Sequence, residues 1–304
     1  MKIGVLGIGA LGSFFGGSLE IINADVSLIL RNVQKKSLIK KKGLIINTNN
    51  NKRVVYPKVF LVDELNFNFD VILLLTKTTD SIEALNSIKH VIDTKTILMS
   101  IQNGLDNDLI LENYVPTKNI IYGTTMTAAD LITPNMVSSF GNNYTQFKPK
   151  NIFSLSIAKK ISQLFNKVGI DTKILDDIDK SIWEKVAFNS AINSSCALLN
   201  CTPNFFNSRL YLKRFILKVA EESCNIGYSN GIKINKNEII RKINISFQEH
   251  GNHEPSMLRD VQQKKITEID SINGALVKYG NLSGVKTTLN YSLLKLIKAK
   301  EMSY

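Results

Sequence analysis

The chain has 304 residues, 44% hydrophobic and 21% charged, the balance of a globular protein long enough for two domains with separate cores. Its net charge of +12 could steer anions, but compositional drift in a chain rich in Lys, Asn and Ile is the default reading. The basic residues are dispersed with no nucleic-acid-binding motif, and no apolar run approaches the roughly 20 residues that span a bilayer, so neither partner is expected.

Residues Lys2 to Leu6 read as a short buried strand. The sequence Gly7-Ile8-Gly9-Ala10-Leu11-Gly12 follows, and a helical pattern continues through Phe14, Phe15 and Leu19. This is a G-x-G-x-x-G turn in the place a dinucleotide site requires, between a strand and a helix. Gly7 permits the tight turn, Gly9 lets a pyrophosphate approach the backbone, and Gly12 allows close helix–strand packing. The glycines also interrupt the apolar start, which argues against a signal peptide and for a cytoplasmic protein. A second strand, Asp25 to Leu30, ends at Arg31, near where such sites read the ribose. An NAD site usually carries a carboxylate there, whereas Arg31 can clamp a 2′-phosphate, so NADP is the expected cofactor. The competing reading is a surface Arg that merely ends a strand. Lys35 and Lys36 stand close enough in sequence to assist.

Further strands are expected at Asp70–Thr76, Thr96–Ile101 and Ile120–Thr124, with helices or loops between them. That alternation implies an α/β fold with a mostly parallel, doubly wound sheet, whose ligands lie beyond the carboxyl ends of the strands. Lys77, the turn Gln102-Asn103-Gly104 and the stretch from Thr125 to Ala129 stand at such ends. The polar stretch Gly141–Lys150 reads as a hairpin or loop. After a last strand at Asp171–Leu175 the pattern turns helical, predicting domains of residues 1–175 and 176–304. Helices are expected at Ile182–Leu199, Leu210–Tyr228, Lys236–Gln248, Val261–Tyr279 and Ser292–Ala299, the first capped by Asp176, Asp177 or Asp179.

The first of these helices carries Lys185, Asn189 and Asn193 at i, i+4 and i+8, one above another among Val186, Ala187, Phe188, Ala191 and Ile192. A buried stripe of one ammonium and two amides is costly unless a polar ligand fills the groove it faces. A solvated face is the alternative, though such faces usually carry several charges. The stretch Glu249-His250-Gly251-Asn252-His253-Glu254 could be taken for a metal cluster, but Gly251 argues against a firm helix, and a turn is the simpler reading. No metal is expected. Cys196, Cys201 and Cys224 are odd in number and lack ligand spacing, which points to a reducing compartment. Cys196 and Cys201 read as small core residues.

Taken together, Gly7–Gly12, Lys77, Gln102-Asn103-Gly104, Trp183-Glu184-Lys185 with Asn189 and Asn193, Pro255-Ser256-Met257-Leu258-Arg259-Asp260, and Thr267-Glu268-Ile269-Asp270-Ser271-Ile272-Asn273-Gly274 resemble the ketopantoate reductase (2-dehydropantoate 2-reductase) family over nearly the whole chain. The resemblance implies an N-terminal Rossmann-like sheet and a C-terminal all-α domain. It also implies reduction of 2-dehydropantoate to pantoate with NADPH, for pantothenate and coenzyme A synthesis. Lys185 would be the proton donor, with Asn189, Asn193 and Ser256 holding the substrate. Asn103 would touch both cofactor and substrate, Lys77 and Ala129 would contact the cofactor, and Glu268, the second catalytic residue, would lie by the nicotinamide end and Lys185, either orienting the ammonium or accepting from the carboxamide. Asn204 matches a further substrate Asn less well, because its spacing from Asn193 differs slightly and Phe205 replaces a usual Gly. Tyr144–Lys150 also departs from the family's Ile-Gly strand end. Alternatives are a reductase of another branched 2-keto acid and a non-catalytic NADP-binding sensor. A monomer and a homodimer are both compatible with the sequence.

Overall fold

Short, almost uninterrupted apolar runs such as Ile3–Leu6 and Val71–Leu74 form strands buried on both faces, the composition that a covered parallel sheet requires. The computed structural model describes residues 1–49, 51–249 and 251–304. The chain divides into two compact units, one of residues 1–102 and 107–178, the other of residues 103–106 and 179–304.

The first unit contains β1 (Ile3–Leu6), α1 (Ala10–Ile21), β2 (Val26–Leu30), α2 (Val33–Lys42), β3 (Leu44–Thr48), β4 (Asn51–Val55), β5 (Lys58–Leu61), β6 (Val71–Leu74) and α3 (Ser81–Ser87). It continues with β7 (Ile97–Ser100), α4 (Asn107–Leu111), β8 (Ile120–Thr125), β9 (Asp130–Thr133), β10 (Met136–Ser139), β11 (Tyr144–Pro149), α5 (Leu155–Lys167) and β12 (Asp171–Ile174). Eight strands form one sheet in the order β12-β11-β8-β7-β6-β1-β2-β5, parallel except where β11 meets β8. The strand order reverses between β1 and β6, the crevice where such sheets bind ligands.

Two features of this unit differ from expectation. Gly141–Lys150 contains strand β11, not just a hairpin or loop: Thr145, Phe147 and Pro149 turn inward along it. The buried Thr145 hydroxyl lies 2.8 Å from that of Thr125 on β8, so polar composition concealed a real period of two. A second sheet of order β4-β3-β10-β9 also forms over α1. That helix fits between the layers because Gly16 faces Leu28 of the large sheet while Gly17 faces Ile46 of the small one. A Cβ at either position would meet those side chains at 2.3 Å.

The second unit is helical: α6 (Ile178–Leu199, whose first residue falls at the boundary), α7 (Asn204–Asn207), α8 (Leu210–Ser229), α9 (Lys236–Gln248), α10 (Ser256–Gln262), a π-turn (Asp270–Gly274), α11 (Ala275–Ser283) and α12 (Thr288–Glu301). Asp177 immediately precedes α6. The expected single helix Val261–Tyr279 is broken: α10 ends at Gln262 and Lys264 takes a positive φ of 53°. Its core joins Val186, Ala191 and Cys196 of α6 to Ile216, Val219 and Cys224 of α8. Trp183 packs edge-on against Tyr279 at 5.1 Å. Cys196 and Cys224 are buried, which pushes their thiols up, and Cys201 is partly covered. Among the described residues no helix is long and apolar enough to cross a membrane.

Candidate active site

In the first unit the site is built from backbone. Gly7 has φ +94°, and a Cβ there would stand 2.5 Å from the Thr76 nitrogen at the end of the neighbouring strand β6. A Cβ on Gly12 would lie 2.0 Å from the Gly7 oxygen. Gly9, between them, has nothing within 4 Å of the place its Cβ would take. The outer glycines let the turn close on itself, and the middle one leaves its open side free for a ligand. Helix α1 then starts with no side-chain cap and no acidic residue in its first turn, leaving the N-terminal dipole to an anion. These features fit the pyrophosphate of a dinucleotide. The side chain of Ile8 is buried in the core, while Ala10 and Leu11 are partly covered.

The flanking charges sort themselves by helix phase. Lys35 on α2 folds back to the glycine turn and donates to the Ile8 carbonyl at 2.5 Å, and burial lowers its pKa to about 8. Its neighbour Lys36 pairs with Glu64 instead. Arg31 follows β2 directly, half-exposed, and its guanidinium pairs with Glu83 on α3. Lys77 stands just past β6 and opens a 3₁₀ turn. Gln102 is buried, donating to the Thr76 carbonyl at 2.7 Å and to the Ser81 hydroxyl at 2.9 Å, so it joins the ends of β6 and β7 and offers nothing outward. Ala129, just before β9, packs on the core of this unit.

The second unit carries a polar cluster of its own, built from side chains. Asn189 and Asn193 are each 7% exposed, and Lys185 is largely covered one turn before Asn189 on α6. Desolvation lowers the Lys185 pKa to about 8, against the pull of the Glu268 carboxylate, which raises it. Glu268 in turn accepts a hydrogen bond from the Asn103 carboxamide at 3.0 Å. Asn103 reaches it because residues 103–106 lie on the turn after Glu268: the Leu105 N–H donates to the Ser271 carbonyl at 3.0 Å. Gly104 has φ +90°, and a Cβ there would stand 2.7 Å from that same carbonyl. Lys185, Glu268 and Asn103 therefore form one chain of charge and hydrogen bonding, with the two α6 amides beside it.

Ser256 is the first residue of α10 and exposed, set by the buried Pro255. Asn204 opens α7, exposed as well, and its N–H donates to the Gly251 carbonyl at 2.8 Å. His250 lies outside the described residues, and among those described no three His, Cys, Asp or Glu side chains are grouped to hold a metal. Sequence reasoning missed Glu83, since an exposed Glu on a helix carries no signature. It also could not separate Lys35 from Lys36, which needs the exact helix phase.

The family model described as ketopantoate reductase PanE/ApbA matches residues 3–151, and its C-terminal counterpart matches residues 177–301. The chain belongs to the ketopantoate reductase family. It is thus an oxidoreductase with a Rossmann-like nicotinamide-dinucleotide domain, from a family whose members use NADPH. A 2-dehydropantoate 2-reductase of Pyrococcus horikoshii is 33% identical over 305 residues, covering 99% of this chain and 98% of the relative. One from Streptococcus pyogenes is 29% identical over 303 residues, with the same coverage. A ternary structure of D-mandelate dehydrogenase with NADH and anilino(oxo)acetate superposes with a TM-score of 0.94 at 29% identity, covering 100% of this chain and 99% of that one.

Proposed function

We propose that the chain reduces 2-dehydropantoate to pantoate with NADPH, residues 1–175 holding the dinucleotide and residues 176–304 the keto acid. The observation that carries this reading is a desolvated Lys185 ammonium beside Glu268, in line with two buried amides. The glycine turn of residues 7–12 would hold the pyrophosphate, Arg31 the 2′-phosphate, and Lys77, Asn103, Ala129 and Glu268 the rest of the dinucleotide, which supplies hydride when bound. As alkoxide charge develops on the keto oxygen, Lys185 stabilises it and passes its proton to that oxygen. A pKa near 8 keeps the ammonium mostly protonated at neutral pH while making the proton easier to give. Glu268 orients the ammonium. Asn189, Asn193 and Ser256 hold the carboxylate and hydroxyl of the substrate, and Asn204 extends that set.

A second reading, reduction of a different 2-keto acid, is favoured by the similarity to a mandelate dehydrogenase that binds anilino(oxo)acetate. The test is NADPH and NADH oxidation, followed by absorbance, with a panel of branched and aryl 2-keto acids. The highest kcat/KM should fall to 2-dehydropantoate with NADPH. A higher value for an aryl keto acid would favour the second reading, and dinucleotide binding without turnover on any member would mark a sensor.

A further inference from the structure

The carboxylate of Glu301, in the last turn of α12, is buried, and the reaction as described does not use it. Carboxylates are rarely buried without a task, since each must recover its hydration from fixed partners. One oxygen of Glu301 accepts from Thr267 twice, from its N–H at 2.9 Å and its hydroxyl at 2.7 Å. The Thr267 hydroxyl accepts in turn from the Ile269 N–H at 3.2 Å. Both neighbours of Glu268 are thereby fixed, while Glu268 itself is left to meet Asn103 and Lys185. Beyond Glu268 the π-turn is pinned as well. Asp270 takes the Lys298 ammonium at 2.8 Å, and Asn273 donates to the Ser190 carbonyl at 3.2 Å, next to Asn189 on α6. A π-turn is a costly local geometry that persists where the surroundings impose it, commonly beside functional groups.

We propose that Glu301 is a positioning residue, acting through Thr267 to hold the Glu268 carboxylate toward Lys185. The titratable groups around it are Lys298, 3.4 Å from its second oxygen and shared with Asp270, and the neutral Tyr304 hydroxyl, whose pKa is pushed up by burial and by Glu301 and Asp260. With the clamp in place, Glu268 stays where its charge favours the protonated amine. Without it, the backbone of residues 267–269 relaxes, Glu268 swings away, and Lys185 loses its proton at lower pH. The inference rests on reading Lys185 as the proton donor, but its first readout does not depend on turnover.

That readout is the ionisation of Lys185, followed by NMR of the isotope-labelled full chain, with Lys185→Ala identifying the resonance. Glu268→Gln should lower the Lys185 pKa by about half a unit or more. Thr267→Val and Glu301→Ala should lower it in the same direction. Glu301→Gln and Thr267→Ser, which keep an acceptor and a donor, should restore most of the original value. Adding Glu301→Ala to Glu268→Gln should change nothing further, since its effect passes through Glu268. Thr267→Val, which keeps the side-chain shape and the backbone bond, tests the idea if Glu301→Ala fails to fold. Kinetically, kcat should fall several-fold in both clamp variants. A Lys185 pKa that follows Glu268→Gln but ignores Thr267→Val and Glu301→Ala would overturn the proposal, as would one that ignores Glu268→Gln. Failure of the donor reading shows separately, as normal turnover in Lys185→Ala.

Discussion

The glycine turn after β1 and the lysine stripe on α6 both present polar groups from a buried framework, by different means. The turn uses main-chain N–H groups, and what matters is which positions lack a side chain: none can stand at Gly7 or Gly12, and nothing but a ligand would meet one at Gly9. The stripe uses side chains whose behaviour depends on residues far away in sequence, Glu268 and Asn103 above all. Each unit also holds a lysine with a pKa near 8, and the two differ in kind. Lys35 faces a carbonyl and has no carboxylate raising it, whereas Lys185 is desolvated with Glu268 pulling the other way. Backbone sites are therefore fixed by local geometry, and side-chain sites by long-range positioning. Substitutions in the two units should fail differently.

The largest effect should come from Lys185→Ala. Turnover should fall by about 10²–10⁴, the usual worth of a positioned acid, with NADPH binding nearly intact. In the unmodified enzyme kcat/KM should decline as pH rises through about 8, because the donor must be protonated, and the variant should lack that limb. Near-normal turnover with the same limb would move the donor to water. The backbone site should break in two ways. Gly12→Ala places a Cβ 2.0 Å from the Gly7 oxygen and should destabilise the unit by about 2–4 kcal/mol in urea unfolding. Gly9→Ala meets no protein atom, so its stability should be unchanged while dinucleotide affinity drops roughly tenfold or more. Equal loss of stability in both would contradict the open cradle. Arg31→Asp should raise KM for NADPH about tenfold and leave that for NADH level or lower. Equal efficiency with both cofactors before substitution would remove Arg31 from the phosphate.

The same contrast decides what could be read in advance. Strands β1, β2, β6, β7 and β8 and the glycine turn were legible because their signals are local: short, mostly apolar runs and glycines at fixed spacing. The Lys185 stripe was legible from helical periodicity. Pairing of Asn103 with Glu268, 165 residues apart, leaves no local trace and was not foreseen; the family resemblance implied only that each lies near the cofactor. The small sheet was not foreseen, since β3 and β10 are joined across most of the first unit and Asn51–Val55 is largely exposed and basic. The break before Glu268 was also hidden: no Gly or Pro lies between Val261 and Asn273, and Lys264 takes its left-handed conformation from tertiary context.

The smallest expected effect concerns the stability cost of the stripe. Lys185 has a folded-state pKa of about 8 against an ordinary value of 10.5. The unfolded chain therefore binds more protons than the native one between those values, so stability should rise with pH from about 8 to about 10.5. Below pH 8 the ammonium is buried at full cost, partly offset by Glu268. Lys185→Met keeps the length and apolar stem without the charge, and should stabilise the protein at pH 7 by about 1 kcal/mol. The gain stays modest because Glu268 would be left with Asn103 but no cation. Urea unfolding of both proteins at pH 7 and 10 checks the sign: the Met variant should lead at pH 7, and the gap should close by pH 10. A Met variant less stable at pH 7 would mean that the ion pair outweighs desolvation and that Lys185 is held as a structural cation.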